Sequence, residues 1–401
     1  MVKNLINLSE CRKTPISQCL DLVILHLFLR MRWNSLSPSW KVLFLGTDRF
    51  AIKILDALYV EFLKRESIVG GRQLVKRLDV VTKQSEGAVK DFVRGKSTDM
   101  KHFIWPDVGI EAGEFDVGVV ASFGHLLPKS FIDLFPYGIL NVHPSLLPRW
   151  RGCAPIPYTI LAGDKKTGVT IQQIQPYKFD VGPIVNQREI PVPSGATSLQ
   201  LLDILGDLGG DLLIETLQDL SHLEDIEIDQ DDRYATYAYK INKQDSRFLI
   251  DWNSDTCDLV DRKFRAFGEM HNIWTYFGEY KVKLSKLVAP KEMQWYTMRD
   301  PRLAGRAGAL AYLGQKDCVA IQCTDGLVGV REISVKKAMS AKSFYNGYLS
   351  KPEWKYAKFS NKVEPFGPTK QPKVLTLKKR LAHQKHWRQQ LLRMHALPSD
   401  G

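Results

Sequence analysis

Val42-Leu43-Phe44-Leu45-Gly46-Thr47 is an apolar run that closes on glycine. A different period follows at once: Phe50, Ile54, Leu58 and Phe62 fall on one stripe of residues 50–63. A short unbroken apolar run suits a strand buried on both faces, and the 3.6-residue period suits a helix laid against it. The same alternation recurs downstream. Residues 117–122 are apolar and end at Phe123-Gly124; residues 138–143 and 169–174 are further short apolar runs, the last followed by a polar loop over 175–182. Helical patterns lie between and after them, around 130–135 and over 198–220. Strands alternating with helices predict an α/β domain with an open, mostly parallel, Rossmann-like sheet. Ligands of such sheets sit beyond the carboxyl ends of the strands.

After about Tyr239 the texture changes. Tyr280-Lys281-Val282-Lys283-Leu284, Ala309 to Leu313 and Val319 to Cys323 are short alternating stretches broken by Gly and Asp. They predict a small antiparallel β-barrel. From Leu349 onward the chain turns to Lys, Pro and Gln; 350–372 reads as an arm and 374–397 as a basic helix. The expected organisation is a leader over 1–40, an α/β domain over 41–240, a barrel domain over 241–349 and a basic tail over 350–401.

Charge follows this division. The net +12 of the 401 residues is +3 over 1–40, zero over 41–350 and +9 over 351–401. Within the middle, 241–350 carries +5 and 41–240 carries −5. A basic C-terminal half fits either a polyanionic partner or a solvated tail. The six cysteines are scattered without a CxxC pair, and no His cluster has metal spacing, so neither a disulfide framework nor a metal site is expected. Residues 22–29 are apolar but far shorter than the ~18 residues needed to cross a bilayer, so no membrane association is expected. Asp21 and His26 interrupt a secretory pattern, and the Arg-, Lys- and Ser-containing, acid-poor leader fits a mitochondrial transit segment better.

Three residues stand out chemically. Asn141 and His143 are two apart on a strand, so they share a face, and Pro144 ends the ladder after them. An amide and an imidazole at one strand end can together hold an oxyanion. Asp180, in Lys178-Phe179-Asp180-Val181-Gly182, lies in the loop after the 169–174 run; if that strand is parallel, the loop also opens at the carboxyl end, where Asp180 would face His143 and favour imidazolium. Each feature alone also suits an ordinary core histidine or an Asx turn. The following loop, Ser145-Leu146-Leu147-Pro148-Arg149-Trp150-Arg151-Gly152, sets backbone amides, two cations and an aromatic beside that strand end, a set that suits a flat heterocycle or an RNA end.

The whole stretch from Asn141 to Ile156 resembles the central signature of the 10-formyltetrahydrofolate-dependent formyltransferases. Gly163-Asp164, residues 168–174 and Phe179 to Pro183 resemble the next block of that family. The likeness runs from about Lys41 to Leu349. It implies catalytic roles for Asn141, His143 and Asp180, a folate-binding loop at Ser145, Leu146, Leu147 and Pro148, and a Rossmann-like domain followed by an OB-like barrel. The wording Leu147 to Gly152, Tyr239 to Lys243 and Lys336 to Lys342 is similar to the members acting on methionyl-tRNA, and Phe344 to Tyr348 to the animal mitochondrial ones. That implies 10-formyltetrahydrofolate as co-substrate, initiator methionyl-tRNA as acceptor, the mitochondrial matrix as location and a monomer without metal. Arg149, Trp150, Arg151, Lys336 and Lys337 are then the expected tRNA contacts, with Trp150 stacking on the aminoacyl end. The alternative is a related folate enzyme acting on a small amine or water. Pro144 stands where bacterial members usually have Gly, and their basic acceptor-stem loop has no recognisable counterpart here; Gly70-Gly71-Arg72 or residues 83–101 stand in its place.

Overall fold

The run that opens the α/β pattern is strand β1 (Trp40–Gly46), and Val42 to Leu45 have no exposed surface. The structure, a computed structural model, describes residues 39–64, 73–85, 87–96, 100–222, 226–242, 244–293, 296, 303, 306–351 and 357–363. The leader, Gly70-Gly71-Arg72 and the basic helix expected over 374–397 lie outside them. The chain divides into two compact units that interleave along the sequence. One runs through Pro148 and adds Val169–Arg188 and Leu205–Asp232; the other comprises Arg149–Gly168, Glu189–Ile204 and the chain from Arg233.

The first unit holds most of a seven-stranded sheet of β1 with β2 (Val75–Thr82), β3 (His102–Ile104), β4 (Val117–Ala121), β5 (Ile139–His143), β6 (Lys166–Gln173) and β7 (Ile184–Pro191), in the order β3-β2-β1-β4-β5-β6-β7; the first residues of β6 and the last of β7 belong to the other unit. The pairings from β3 across to β5 are parallel. After β1 the chain builds outward to one side through β2 and β3, then returns to the other side with β4, which makes a switch point between β1 and β4. Helix α1 (Arg49–Leu63) covers the sheet with Phe50, Ile54, Leu55 and Leu58. Its first turn is capped by Asp48, whose carboxylate accepts from the Ala51 N–H at 3.0 Å.

One expectation is corrected. β6 pairs antiparallel with β5, setting Asn141 opposite Gln172 and His143 opposite Thr170. The loop after β6 therefore leaves beside the start of β5, not at its carboxyl end. An apolar strand looks the same in either direction, so periodicity could not reveal this.

The second unit contains an antiparallel sheet of β8 (Ile273–Phe277), β9 (Tyr280–Val288), β10 (Leu310–Leu313), β11 (Cys318–Gln322), β12 (Leu327–Ser334), β13 (Ala338–Ser340) and β14 (Phe359–Ser360). β9 shows the alternation that defines it: Val282 and Leu284 are buried, Lys281 and Lys283 exposed. The path β10-β11-β12-β9-β8-β14 closes on itself, because Ala309 bridges Lys358 and the Phe359 N–H donates to the Gly308 carbonyl at 2.8 Å. Closure removes the free edges and gives a small OB-like barrel. Phe277, Phe344 and Phe359 fill its interior.

Candidate active site

β5 is apolar except for Asn141 and His143, and its pleat sends both to the same face. Gln172 of β6 stands opposite Asn141 in the register and shares that face. The loop that leaves β6 folds back over this face to deliver Asp180. Two backbone features make the reversal possible. Asp180 itself takes φ +55°, a left-handed conformation that Asp tolerates better than most residues. At Gly182 a Cβ would lie 1.7 Å from the Gln173 carbonyl oxygen, so only glycine permits the close approach.

The result is a cluster around one carboxylate oxygen. Asp180 Oδ1 accepts from Asn141 Nδ2 at 3.0 Å and from Gln172 Nε2 at 3.0 Å, and it lies 3.5 Å from His143 Nδ1. The His143 and Asp180 side chains are only 6% and 10% exposed. Gln230 supports the arrangement from behind. Its Nε2 lies 3.0 Å from Gln172 Oε1, 3.1 Å from the Asp180 carbonyl and 2.7 Å from the Gly182 carbonyl, donating toward all three. Bonded this way, Gln172 turns its own N–H toward the carboxylate. Asn, His and Asp thus meet as expected, although Asp180 arrives by another route. A cavity of about 660 Å³ bordered by Tyr137, Gly138, Gln173, Gln175, His222 and Glu227 opens in the same unit; none of the three lines it.

The segment expected to bind folate leaves β5 in a tight, pinned turn. Ser145 is fully buried, and its carbonyl accepts from Thr170 Oγ1 at 2.7 Å. The Leu147 N–H donates back to Thr170 Oγ1 at 3.1 Å, and Gln187 Nε2 donates to the Leu147 carbonyl at 3.0 Å. Leu147 is buried, while Leu146 and Pro148 are half-buried. This order holds the loop's backbone still beside His143, as a binding loop requires.

Among the expected tRNA contacts the structure separates two kinds. Arg149 grips Asp164 as a fork, Nε to Oδ2 at 2.9 Å and Nη2 to Oδ1 at 2.6 Å. Trp150 is 2% exposed, packs on Tyr158, and donates its indole N–H to Asp164 at 2.8 Å. Arg151 is also buried. The Arg149 and Trp150 side chains hold the segment in place, and the Trp150 ring offers no face to a base. Lys336 and Lys337 are exposed in the turn between β12 and β13. Among the described residues no group of three or more His, Cys, Asp or Glu could hold a metal, and no helix is long and apolar enough to cross a membrane.

Residues 43–217 match the model described as "Formyl transferase", and residues 240–349 match "Formyl transferase, C-terminal domain". The chain belongs to the formyl transferase family. It is 42% identical over 319 residues to the mitochondrial methionyl-tRNA formyltransferase of Homo sapiens, covering 78% of each chain. It is 32% identical over 330 residues to the methionyl-tRNA formyltransferase of Herminiimonas arsenicoxydans, covering 77% of this chain and 97% of that one. Its fold is similar to the solved structure of HypX from Aquifex aeolicus in complex with tetrahydrofolic acid, at a TM-score of 0.51 and 18% identity over 84% of this chain and 50% of that one. Within this formyl transferase, Gln172, Gln230, Thr170 and Gln187 were not singled out from the sequence. The polar residues inside the apolar 169–174 run were a visible signal for Thr170 and Gln172; Gln230 carried none.

Proposed function

We propose that this formyl transferase moves the formyl group of 10-formyltetrahydrofolate to the amine of initiator methionyl-tRNA in the mitochondrial matrix, acting as a monomer without a membrane. The observation that carries the reading is the convergence of the Asn141 amide, the His143 imidazole and the Asp180 carboxylate on one sheet face. The identity to mitochondrial methionyl-tRNA formyltransferases along most of the chain supports this acceptor, as does a second domain of net positive charge. In this reading 1–40 is a transit segment, 41–240 the catalytic domain, 241–349 the tRNA-binding domain and 350–401 a basic extension of it.

The amine nitrogen attacks the formyl carbon and the carbonyl oxygen takes the negative charge. Asn141 uses one N–H on Asp180; its second N–H donates to that oxygen. His143, with the carboxylate as electrostatic partner, donates to the same oxygen. As the carbon–nitrogen bond to folate breaks, Asp180 takes the proton from the new amide nitrogen and returns it to the leaving nitrogen. Residues 145–148 hold the folate beside the strand end, and Lys336 and Lys337 meet the phosphates of the acceptor. Arg149 and Trp150 contribute by holding the intervening backbone.

The test compares acceptors. The protein is mixed with labelled 10-formyltetrahydrofolate and, separately, with charged initiator methionyl-tRNA, a small amine such as glycinamide ribonucleotide, or buffer. Label is expected on methionyl-tRNA; label on the small amine, or free formate alone, contradicts the proposal.

A further inference from the structure

Burying Trp150 leaves the acceptor end without the aromatic surface first assigned to it. The segment that pairs with the Trp150 loop carries such surface. Residues 236–238 lie extended beside it: the Trp150 N–H donates to Thr236 Oγ1 at 2.9 Å, and the Arg151 N–H donates to the Thr236 carbonyl at 2.9 Å. The Ala238 N–H donates to the Arg151 carbonyl at 2.7 Å, and the Ala154 N–H to the Ala238 carbonyl at 3.2 Å. Gly152, at φ +111°, allows this approach, since a Cβ there would sit 2.7 Å from the Ala238 oxygen.

Extended backbone alternates its side chains. Ala238 is fully buried, so Tyr237 and Tyr239 both turn outward, 45% and 51% exposed. Their rings stack, with centroids 6.1 Å apart and planes 21° from parallel. Arg233 and Lys240, both exposed, lie to either side along the chain. Exposed aromatic faces are what unpaired bases stack on, and flanking cations suit the phosphates between those bases. Within a duplex the base faces are covered by their neighbours, whereas unpaired bases can splay out and stack, so the platform suits a single-stranded occupant.

We propose that Tyr237 and Tyr239 form the stacking platform for the unpaired 3′ end of the aminoacyl-tRNA, an inference that rests on methionyl-tRNA being the acceptor. The platform is anchored to the signature segment by the bridge between Arg151 and Tyr237. Steady-state kinetics on the full chain test this with the Tyr237→Ala/Tyr239→Ala and Tyr237→Phe/Tyr239→Phe double variants. The alanine pair is expected to raise KM for methionyl-tRNA by on the order of tenfold or more, the range expected for losing base stacking. KM for formyl-folate and kcat at saturating tRNA stay within a few-fold, and the phenylalanine pair behaves like the wild type. Binding of uncharged initiator tRNA, intact or trimmed of its unpaired 3′ nucleotides, gives a second readout: the alanine pair weakens binding of the intact form only. An unchanged tRNA KM, or equal weakening for trimmed tRNA, overturns the platform alone. Wild-type protein that leaves methionyl-tRNA unformylated overturns the acceptor reading and the platform with it.

Discussion

Asp180 and Asp164 are both largely buried carboxylates in loops of a single family signature, yet their partners differ in kind. Asp164 accepts two bonds from the Arg149 guanidinium and one from the Trp150 indole. Those donors do not give up protons near neutral pH, and the guanidinium is a permanent cation. Asp180 accepts from two neutral amides and sits beside an imidazole. Neutral amides orient a carboxylate without bringing a compensating charge, and an imidazole nitrogen can donate or accept a proton beside it. A carboxylate saturated by arginine is a clamp; one held by amides next to histidine can take part in proton transfer. The difference teaches that a buried acid's partners, more than its burial, separate structural from catalytic roles.

Substitution of the two acids is the hardest test of that contrast. Asp180→Asn keeps the size and removes the charge, and it is expected to lower kcat by on the order of 10²–10⁴ with little change in melting temperature. Asn141→Ala removes one donor to the developing oxyanion and should cost on the order of 10²–10³ in kcat. Single-turnover formylation of methionyl-tRNA measures both. Wild-type-like rates in either variant would break the assignment of this cluster to chemistry.

Asp164→Ala should give the opposite profile. It leaves the Arg149 fork and the buried indole N–H without their acceptor, a loss of about 1–3 kcal/mol once the partial exposure of Arg149 is allowed for. Thermal or urea denaturation should show that loss, while kcat per folded molecule stays within roughly tenfold of wild type. A variant that keeps full stability but loses kcat as Asp180→Asn does would erase the distinction.

Much of this was legible in the residues. The unbroken apolar run at Val42 to Leu45 reports a strand buried on both faces, and the two-residue spacing of Asn141 and His143 places them on one face, because both follow from local geometry. The direction of β6 was not legible, since an apolar strand carries no sign of which way it runs. The fate of Trp150 was hidden for another reason. Its backbone adopts φ +61°, a turn that its residue type does not advertise, and an Arg-Trp-Arg run looks the same whether the ring faces water or Tyr158. Gln230 lies 50 positions from Asp180 in sequence, and only the folded chain brings its amide under the loop.

That glutamine offers the smallest and most discriminating effect. Gln230 touches neither His143 nor Asn141 in the contacts described above; its amide lies against two loop carbonyls and the Gln172 carbonyl oxygen. Its role is to position Asp180, both through the backbone and by turning the Gln172 N–H toward Oδ1. Gln230→Ala removes the support but leaves the acid, the imidazole and the Asn141 amide in place. Each lost neutral hydrogen bond contributes about 0.5–1.5 kcal/mol, and only the part that displaces Asp180 enters the rate, so kcat should fall by roughly 3- to 30-fold. The side-chain partners of Asp164 are Arg149 and Trp150, so the effect belongs to one side of the comparison. Combined with Asp180→Asn, the glutamine change should have almost no further effect on kcat, since the group it positions is already disabled. Independent, multiplicative losses in that double variant would show that Gln230 acts elsewhere, and that the loop holds Asp180 without it.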